Sequence, residues 1–361
     1  MNKRLFIWIG LLLSILACNL GTSASTPTSN LLATLAASTP LSGNPAATID
    51  PAQTPTSAFN LSTPLPAASP ASPASTVSVP SSSSTIQPKG QIVFTCQIFK
   101  VQASNQICII NADGTGFRRL TTDSSTQHYY PSLSPDGKSV VYAAFRESNI
   151  YEIYEMDIAS GNVKQLTNRL GILSAPEISP NGEFIVFKQS TGNSEKNAIW
   201  IMDRTGDNVG NIPRALGWDP TWSPDGKYIL FASDLDGAIQ LYSIRVTGKE
   251  LKRISNLPSI RGRSDWSSDG QFIVTYSGEP WKRDVYIMNA DGSSARVLSP
   301  AGGNSQGPSI SPDGQWVAFT AYFDHPNDDH GCEIYIMRID GTDFRRLTSN
   351  DYCDYQPRWG L

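Results

Sequence analysis

The sequence predicts an all-β fold of repeated four-stranded units, on three observations: a turn pattern at nearly constant spacing, short apolar runs between turns, and no convincing amphipathic helix after residue 90. The pattern is fullest at Pro220-Thr221-Trp222-Ser223-Pro224-Asp225-Gly226-Lys227-Tyr228-Ile229-Leu230-Phe231. Its turn glycines, Gly90, Gly137, Gly182, Gly226, Gly270 and Gly314, lie 47, 45, 44, 44 and 44 residues apart. A fixed period of that length means stacked units, none of which can bury its apolar faces alone.

The first strand of each unit is brief and ends in an apolar residue before the turn: Leu133, Ile178, Trp222, Trp266, Ile310 and, at the end of the chain, Trp359. The second follows the turn, as in Phe184-Ile185-Val186-Phe187. The third sets large residues in alternation, as in Val285-Tyr286-Ile287-Met288 and Ile334-Tyr335-Ile336-Met337. A second turn, such as Asp291-Gly292 or Asp340-Gly341, leads to a fourth run such as Phe344-Arg345-Arg346-Leu347-Thr348. Asp-Gly turns joining runs of four to six residues indicate antiparallel hairpins. The first unit enters directly at its turn through Gln87-Pro88-Lys89-Gly90, without an inner strand, whereas Pro357-Arg358-Trp359-Gly360-Leu361 is an inner strand without a following unit. The two fragments complete one blade, so the expectation is a six-bladed β-propeller of four-stranded antiparallel blades, closed by the C-terminal strand and free of exposed sheet edges.

Ser-Pro-Asp-Gly before an apolar strand, Ile-Tyr-x-Met in the third strand and Arg-Arg-Leu-Thr in the fourth resemble the TolB-like (PD40) class of WD40-like propeller repeats, over residues 88 to 361. The resemblance implies the fold strongly and the function weakly, because such propellers serve as binding platforms, as gates on peptidases and occasionally as enzymes. The amino-terminal domain that accompanies the propeller in TolB has no counterpart here, so a TolB function is not carried over.

Lys3 and Arg4 precede an uncharged run from Leu5 to Ala17, which suits the core of a signal peptide and is short for a membrane span. The run ends Ile15-Leu16-Ala17-Cys18 and resembles a bacterial lipobox, which implies a lipid-modified Cys18 after cleavage and a membrane-anchored protein outside the cytoplasmic membrane or at the cell surface. Residues 19 to 87 are rich in Ser, Thr, Pro and Ala, with Asp50 the one charge, so they cannot bury enough apolar surface to order themselves. They read as a disordered stalk spanning roughly 45 Å as a coil. The domain reading is therefore 1–18 leader, 19–87 linker, 88–361 propeller.

The formal net charge of −4 over 361 residues, without a basic cluster, gives no electrostatic support for nucleic-acid binding. Paired arginines at 118, 119, 345 and 346 recur as part of the repeat and read as structural. Cys96, Cys108, Cys332 and Cys353 make an even set in an oxidising compartment; three pairings are open, with 332–353 and 96–108 favoured. Their spacing does not resemble a zinc site. No Gly-x-Ser-x-Gly elbow, His-Glu-x-x-His or Walker loop is present. The loop Asp324-His325-Pro326-Asn327-Asp328-Asp329-His330 and the stretch Ser233-Asp234-Leu235-Asp236-Gly237 hold donor atoms for a cation but read more simply as a solvated loop and a hairpin turn. No metal or other cofactor is expected.

One constellation remains. Before the last apolar residue of each inner strand stands a polar one: Ser132, Glu177, Thr221, Asp265, Ser309 and Arg358. Strand alternation sends these away from the packed face, toward a central channel. His128, Tyr129, Tyr130, Asp219 and Arg263 lie just upstream and are expected at the same mouth. The bland reading is solvation of a water-filled channel; the sharper one is a ligand site with Glu177, Asp265 and Arg358 as its charged groups. The functional expectation is a monomeric, surface-anchored, non-enzymatic platform for a protein, peptide or cell-envelope glycan. The alternatives are a carbohydrate-active hydrolase or lyase using channel carboxylates such as Glu177 and Asp265, which needs carboxyl groups about 5 to 9.5 Å apart, and a purely structural envelope protein.

Overall fold

The computed structural model describes residues 87–98, 104–147, 150–190, 197–260, 262–324 and 331–361. The leader ending at Cys18, the linker as far as Ile86, and the loop carrying His325 and His330 lie outside the described residues.

The recurrent turn is a local piece of chemistry. In Ser134-Pro135-Asp136-Gly137 the serine hydroxyl donates to Asp136 Oδ1 (2.6 Å) and accepts from Ser139 N (3.0 Å). Asp136 Oδ1 also accepts Lys138 N (3.2 Å), and Gly137, at φ 68°, donates its N–H to Ser134 O (2.9 Å). The left-handed position needs glycine, and the hydroxyl and carboxylate satisfy donors that the strand ladder leaves open. The same bonds recur with Ser223 and Asp225, Ser267 and Asp269, and Ser311 and Asp313; Asn181 replaces the aspartate beside Ser179. Accepting the serine proton holds the Asp136, Asp225 and Asp269 carboxyls below their ordinary range.

The fourth run has its own tie. Thr121, Thr167, Ser255, Ser299 and Thr348 each accept, through the hydroxyl, the N–H of a third-strand residue: Ile107, Ile153, Leu241, Val285 and Ile334 (2.8 to 3.0 Å). Leu166 and Leu298 from the same runs enter the apolar layers between sheets, while Arg118 and Arg119 remain exposed.

Strand pairing corrects the expected count of blades. Four sheets are separate and four-stranded. One orders Asp354–Gly360, Gln91–Gln97, Asn105–Asn111 and Arg118–Arg119; the others run from Trp218–Trp222 to Lys252–Arg253, from Asp265–Trp266 to Arg296–Val297, and from Gln306–Ile310 to Arg345–Arg346. The strands from Gln127–Leu133 to Gly210–Leu216 instead form one eight-stranded sheet, so the expectation of six like blades does not hold. The outer strand Val163–Gln165 covers only Tyr154 to Met156 of its eight-residue partner Ile150–Asp157. Tyr151 therefore retains an open edge, which Ile172 takes in parallel, with Tyr151 N donating to Gly171 O (3.2 Å). The all-β propeller character is retained, with four discrete blades and one merged double sheet.

Apolar faces meet between neighbouring sheets. Ile92, Phe94, Cys108 and Ile110 of the first sheet pack on Trp316, Ala318, Ile334 and Ile336, with Trp359 in the same layer. Trp359 also pairs across the ladder with Ile92 and donates its indole N–H to Lys89 O (2.8 Å), which joins the two ends of the described chain. Cys96 is bonded to Cys108 (Cα–Cα 5.9 Å) and Cys332 to Cys353 (Cα–Cα 4.4 Å).

Candidate functional site

The inner strands bulge at one repeated place. Pairing slips between Tyr129 and Ser132, Ser174 and Glu177, Trp218 and Thr221, and Gln306 and Ser309, and again where Asp354–Gly360 meets Gln91–Gln97. At each slip stands a left-handed residue: Tyr130 (φ 55°), Ala175 (51°), Asp219 (52°), Gly307 (55°) and Gln356 (58°). Each precedes a proline: Pro131, Pro176, Pro220, Pro308 and Pro357. A proline disfavours the right-handed helical region for the residue before it and withholds a ladder donor, so the strand continues through a bulge that re-aims one side chain. In the fifth unit Ser264 stands where the others have proline, and Arg263 occupies the position.

Two layers result. The deeper one gathers Glu177, Asp265 and Arg358 onto one another: Arg358 Nη2 lies 2.9 Å from Glu177 Oε2 and Nη1 lies 3.2 Å from Asp265 Oδ2. Both carboxylates also reach the next inner strand. Glu177 Oε1 accepts Thr221 Oγ (2.8 Å) and Trp222 N (3.0 Å); Asp265 Oδ2 accepts Ser309 Oγ (2.7 Å) and Ile310 N (3.1 Å). Side-chain exposure is 6% for Arg358, 15% for Glu177 and 18% for Asp265. Burial pushes the Glu177 carboxyl up, and the Arg358 guanidinium opposes that. These three residues latch inner strands together, and none of them lines the cavity above.

The upper layer is a cavity of about 290 Å³ at the mouth. Tyr130, Asp219, Gly307 and Gln356 reach it from the bulges, and Arg263, Tyr276, Tyr322 and Tyr355 from their flanks. Gln356 Oε1 accepts Tyr130 N (2.9 Å) and Thr95 Oγ (2.9 Å), which fixes the last bulge to its neighbours. Arg263 donates Nη2 to Pro131 O (3.0 Å) and Nη1 to Gln356 O (3.5 Å), stacks its guanidinium 5.6 Å from the Tyr130 ring centre, and donates its backbone N–H to Asp219 Oδ2 (3.1 Å). Burial raises the Asp219 carboxyl and the Tyr130 and Tyr355 hydroxyls, and lowers Arg263 to about 10 with help from the Arg358 charge. At neutral pH the tyrosines therefore keep their protons and Arg263 its charge.

Of the residues expected at the mouth, Tyr130, Asp219 and Arg263 line the cavity. Tyr129 sits beside it, accepting Asn105 Nδ2 at its hydroxyl (2.9 Å). His128 is buried against the Tyr142 ring (centroids 5.5 Å) and does not line the cavity. Tyr276, Tyr322, Tyr355, Gln306 and Gln356 escaped the sequence reading; the residue before each inner-strand proline was the signal available for Gln356. Among the described residues no group of three or more His, Cys, Asp or Glu is placed to hold a metal ion. Asp236, in the stretch considered as a cation loop, accepts the Tyr242 hydroxyl (2.6 Å).

Comparison with known proteins agrees with this architecture. The Tol-Pal system protein TolB of Francisella tularensis is 28% identical over 218 residues, 59% of this chain and 50% of its own length. The uncharacterized peptidase YuxL of Bacillus subtilis is 27% identical over 209 residues, 45% of this chain and 31% of its own. The crystal structure of TolB from Acinetobacter baumannii superposes with a TM-score of 0.64 at 25% identity, covering 75% of this chain and 66% of that one. The chain spans about half the length of the TolB relative and under a third of the peptidase. Residues 88–360 match the family model described as the TolB beta propeller domain, PD40, and the chain belongs to that family.

Proposed function

We propose that this propeller is a binding head that captures an extended segment of a protein partner at the channel mouth, and that a lipid on Cys18 and the linker that follows hold it in the cell envelope as a single chain. The observation that carries this reading is the mouth cavity itself, walled by four tyrosines and by the amide side chains of Gln97, Gln306 and Gln356. Tyrosine supplies contact area at low conformational cost, and the volume suits one side chain of a docked segment. The TolB relative named for the Tol-Pal system supports a protein as partner. A hydrolase or lyase acting through Glu177 and Asp265 is the weaker reading, since both carboxylates are engaged by Arg358 and by the next inner strand.

Gly307 offers a clean test. It lines the cavity, a Cβ built on it meets nothing within 4 Å, and Tyr130, Ala175, Asp219 and Gln356 show that its left-handed backbone accepts side chains at this place in the repeat. Gly307→Tyr should plug the mouth at a stability cost of about 1–2 kcal/mol. A partner captured from envelope extracts by the full-length protein in detergent should be lost with the plugged variant. Capture that survives the plug would move the binding surface elsewhere.

A further inference from the structure

Arg263 is the least satisfied group of the mouth. It is 4% exposed, yet its Nε has no hydrogen-bond partner, and its two Nη bonds go to backbone carbonyls. Among the described residues no carboxylate lies within 4.0 Å of its guanidinium nitrogens; Asp219 meets only its backbone N–H. A buried guanidinium with no carboxylate in direct contact is costly, and the cost is relieved when one binds it. The surroundings favour an anion as well. Asp219 is shared between the Arg263 backbone N–H and the charge of Lys188, and Arg283 touches the wall through Gln306 Oε1 (2.8 Å), so no carboxylate is committed to the Arg263 guanidinium. Beneath, the two carboxylates Glu177 and Asp265 share the single cation Arg358, and the Glu177 charge also reaches Arg263 without contacting it.

Resting on the reading of the mouth as a protein-binding site, we propose that the cavity receives a carboxylate side chain, Asp or Glu, of the docked segment, bound on the guanidinium of Arg263 with tyrosine hydroxyls around it. A cavity of about 290 Å³ has room for a carboxylate side chain or an acidic sugar, and a peptide is chosen because the proposal rests on the protein-binding reading of the mouth.

The test measures binding of blocked pentapeptides that differ only in a central Glu, Gln or Lys, and of glucuronate, to the full-length protein in detergent. The Glu peptide should bind at least about tenfold more tightly than the Gln peptide, with affinity falling as salt is raised. Arg263→Lys, which keeps the charge and loses the fork, should weaken the Glu peptide several-fold. Asp219→Asn can still accept the Arg263 N–H, and should strengthen the Glu peptide by removing a like charge, an effect that loss of a merely structural group would not give. Equal binding of Glu and Gln peptides, tighter binding of Lys, or binding of glucuronate without the Glu peptide would overturn the proposal. If partner capture is still lost with Gly307→Tyr in those cases, only the carboxylate assignment falls; if capture survives the plug, the mouth reading falls with it.

Discussion

Replacing Arg358 by Met keeps much of the volume and removes the charge that holds Glu177 and Asp265. The guanidinium contacts both carboxylates at 2.9 and 3.2 Å and donates to Ser264 O at 3.1 Å, with 6% of the side chain exposed. Removing one partner of a buried ion cluster leaves uncompensated charge and costs about 3–5 kcal/mol. At about 2–4 °C per kcal/mol for a domain of this size, the melting temperature should fall by about 6–20 °C. The pH dependence carries the diagnosis. Burial already pushes the Glu177 carboxyl above its ordinary range, and without the cation its main opposition is gone. The penalty is then complete above the raised folded value and disappears as pH falls toward the unfolded one, near 4. The gap between the two proteins, followed by calorimetry, should be widest at pH 7–8 and close toward pH 4. Adding Glu177→Gln and Asp265→Asn to Arg358→Met should recover part of the loss at neutral pH. A gap under about 1 kcal/mol, or one that does not change with pH, would refute the latch.

Three further outcomes are expected. Asp354, buried beside Glu333, has its carboxyl raised to about 8 by desolvation and then by the Glu333 charge; its folded value exceeds its unfolded one, so stability should decline from about pH 4 to pH 8, by at most on the order of 5 kcal/mol. Asp354→Asn should therefore stabilise at pH 9 and not at pH 4, and equal effects at both would count against the raised carboxyl. Cys332→Ser with Cys353→Ser opens a link of sequence separation 21 and should cost about 3 kcal/mol in denaturant unfolding, against no change if the link is only incidental. Cys18→Ser should leave the chain uncleaved or released from the membrane fraction, and unchanged detergent partitioning would remove the lipid anchor from the proposal.

Local chemistry was legible in the sequence and long-range adjustment was not. Ser-Pro-Asp-Gly can be read as a turn because its bonds close within six residues, as at Ser134 to Ser139. The merger of the second and third units rests on a single parallel bridge, Tyr151 to Ile172, and repeat spacing carries no information about such a contact. In the site, alternation set Glu177, Asp265 and Arg358 apart from the packed faces, and they meet one another, but the bulge adds a residue above them. That extra residue gives the open mouth to Tyr130, Asp219 and Gln356, and leaves the carboxylates to one another. Tyr276, Tyr322 and Tyr355 come from strand ends in different units, where no period connects them.

On the proposed reading of the mouth, the pre-proline bulges offer positions where recognition can vary over a constant backbone. The same left-handed backbone recurs there under glycine, alanine, aspartate, glutamine and tyrosine. Preference for a partner can therefore drift one letter at a time while the scaffold stays intact, and two members of this family with nearly superposable propellers need share no ligand at all. Of the pre-proline residues of this chain, Tyr130, Asp219, Gly307 and Gln356 line the cavity; Asp219 and Gln356 also bond to neighbouring strands, which leaves Gly307 as the first place to seek such divergence.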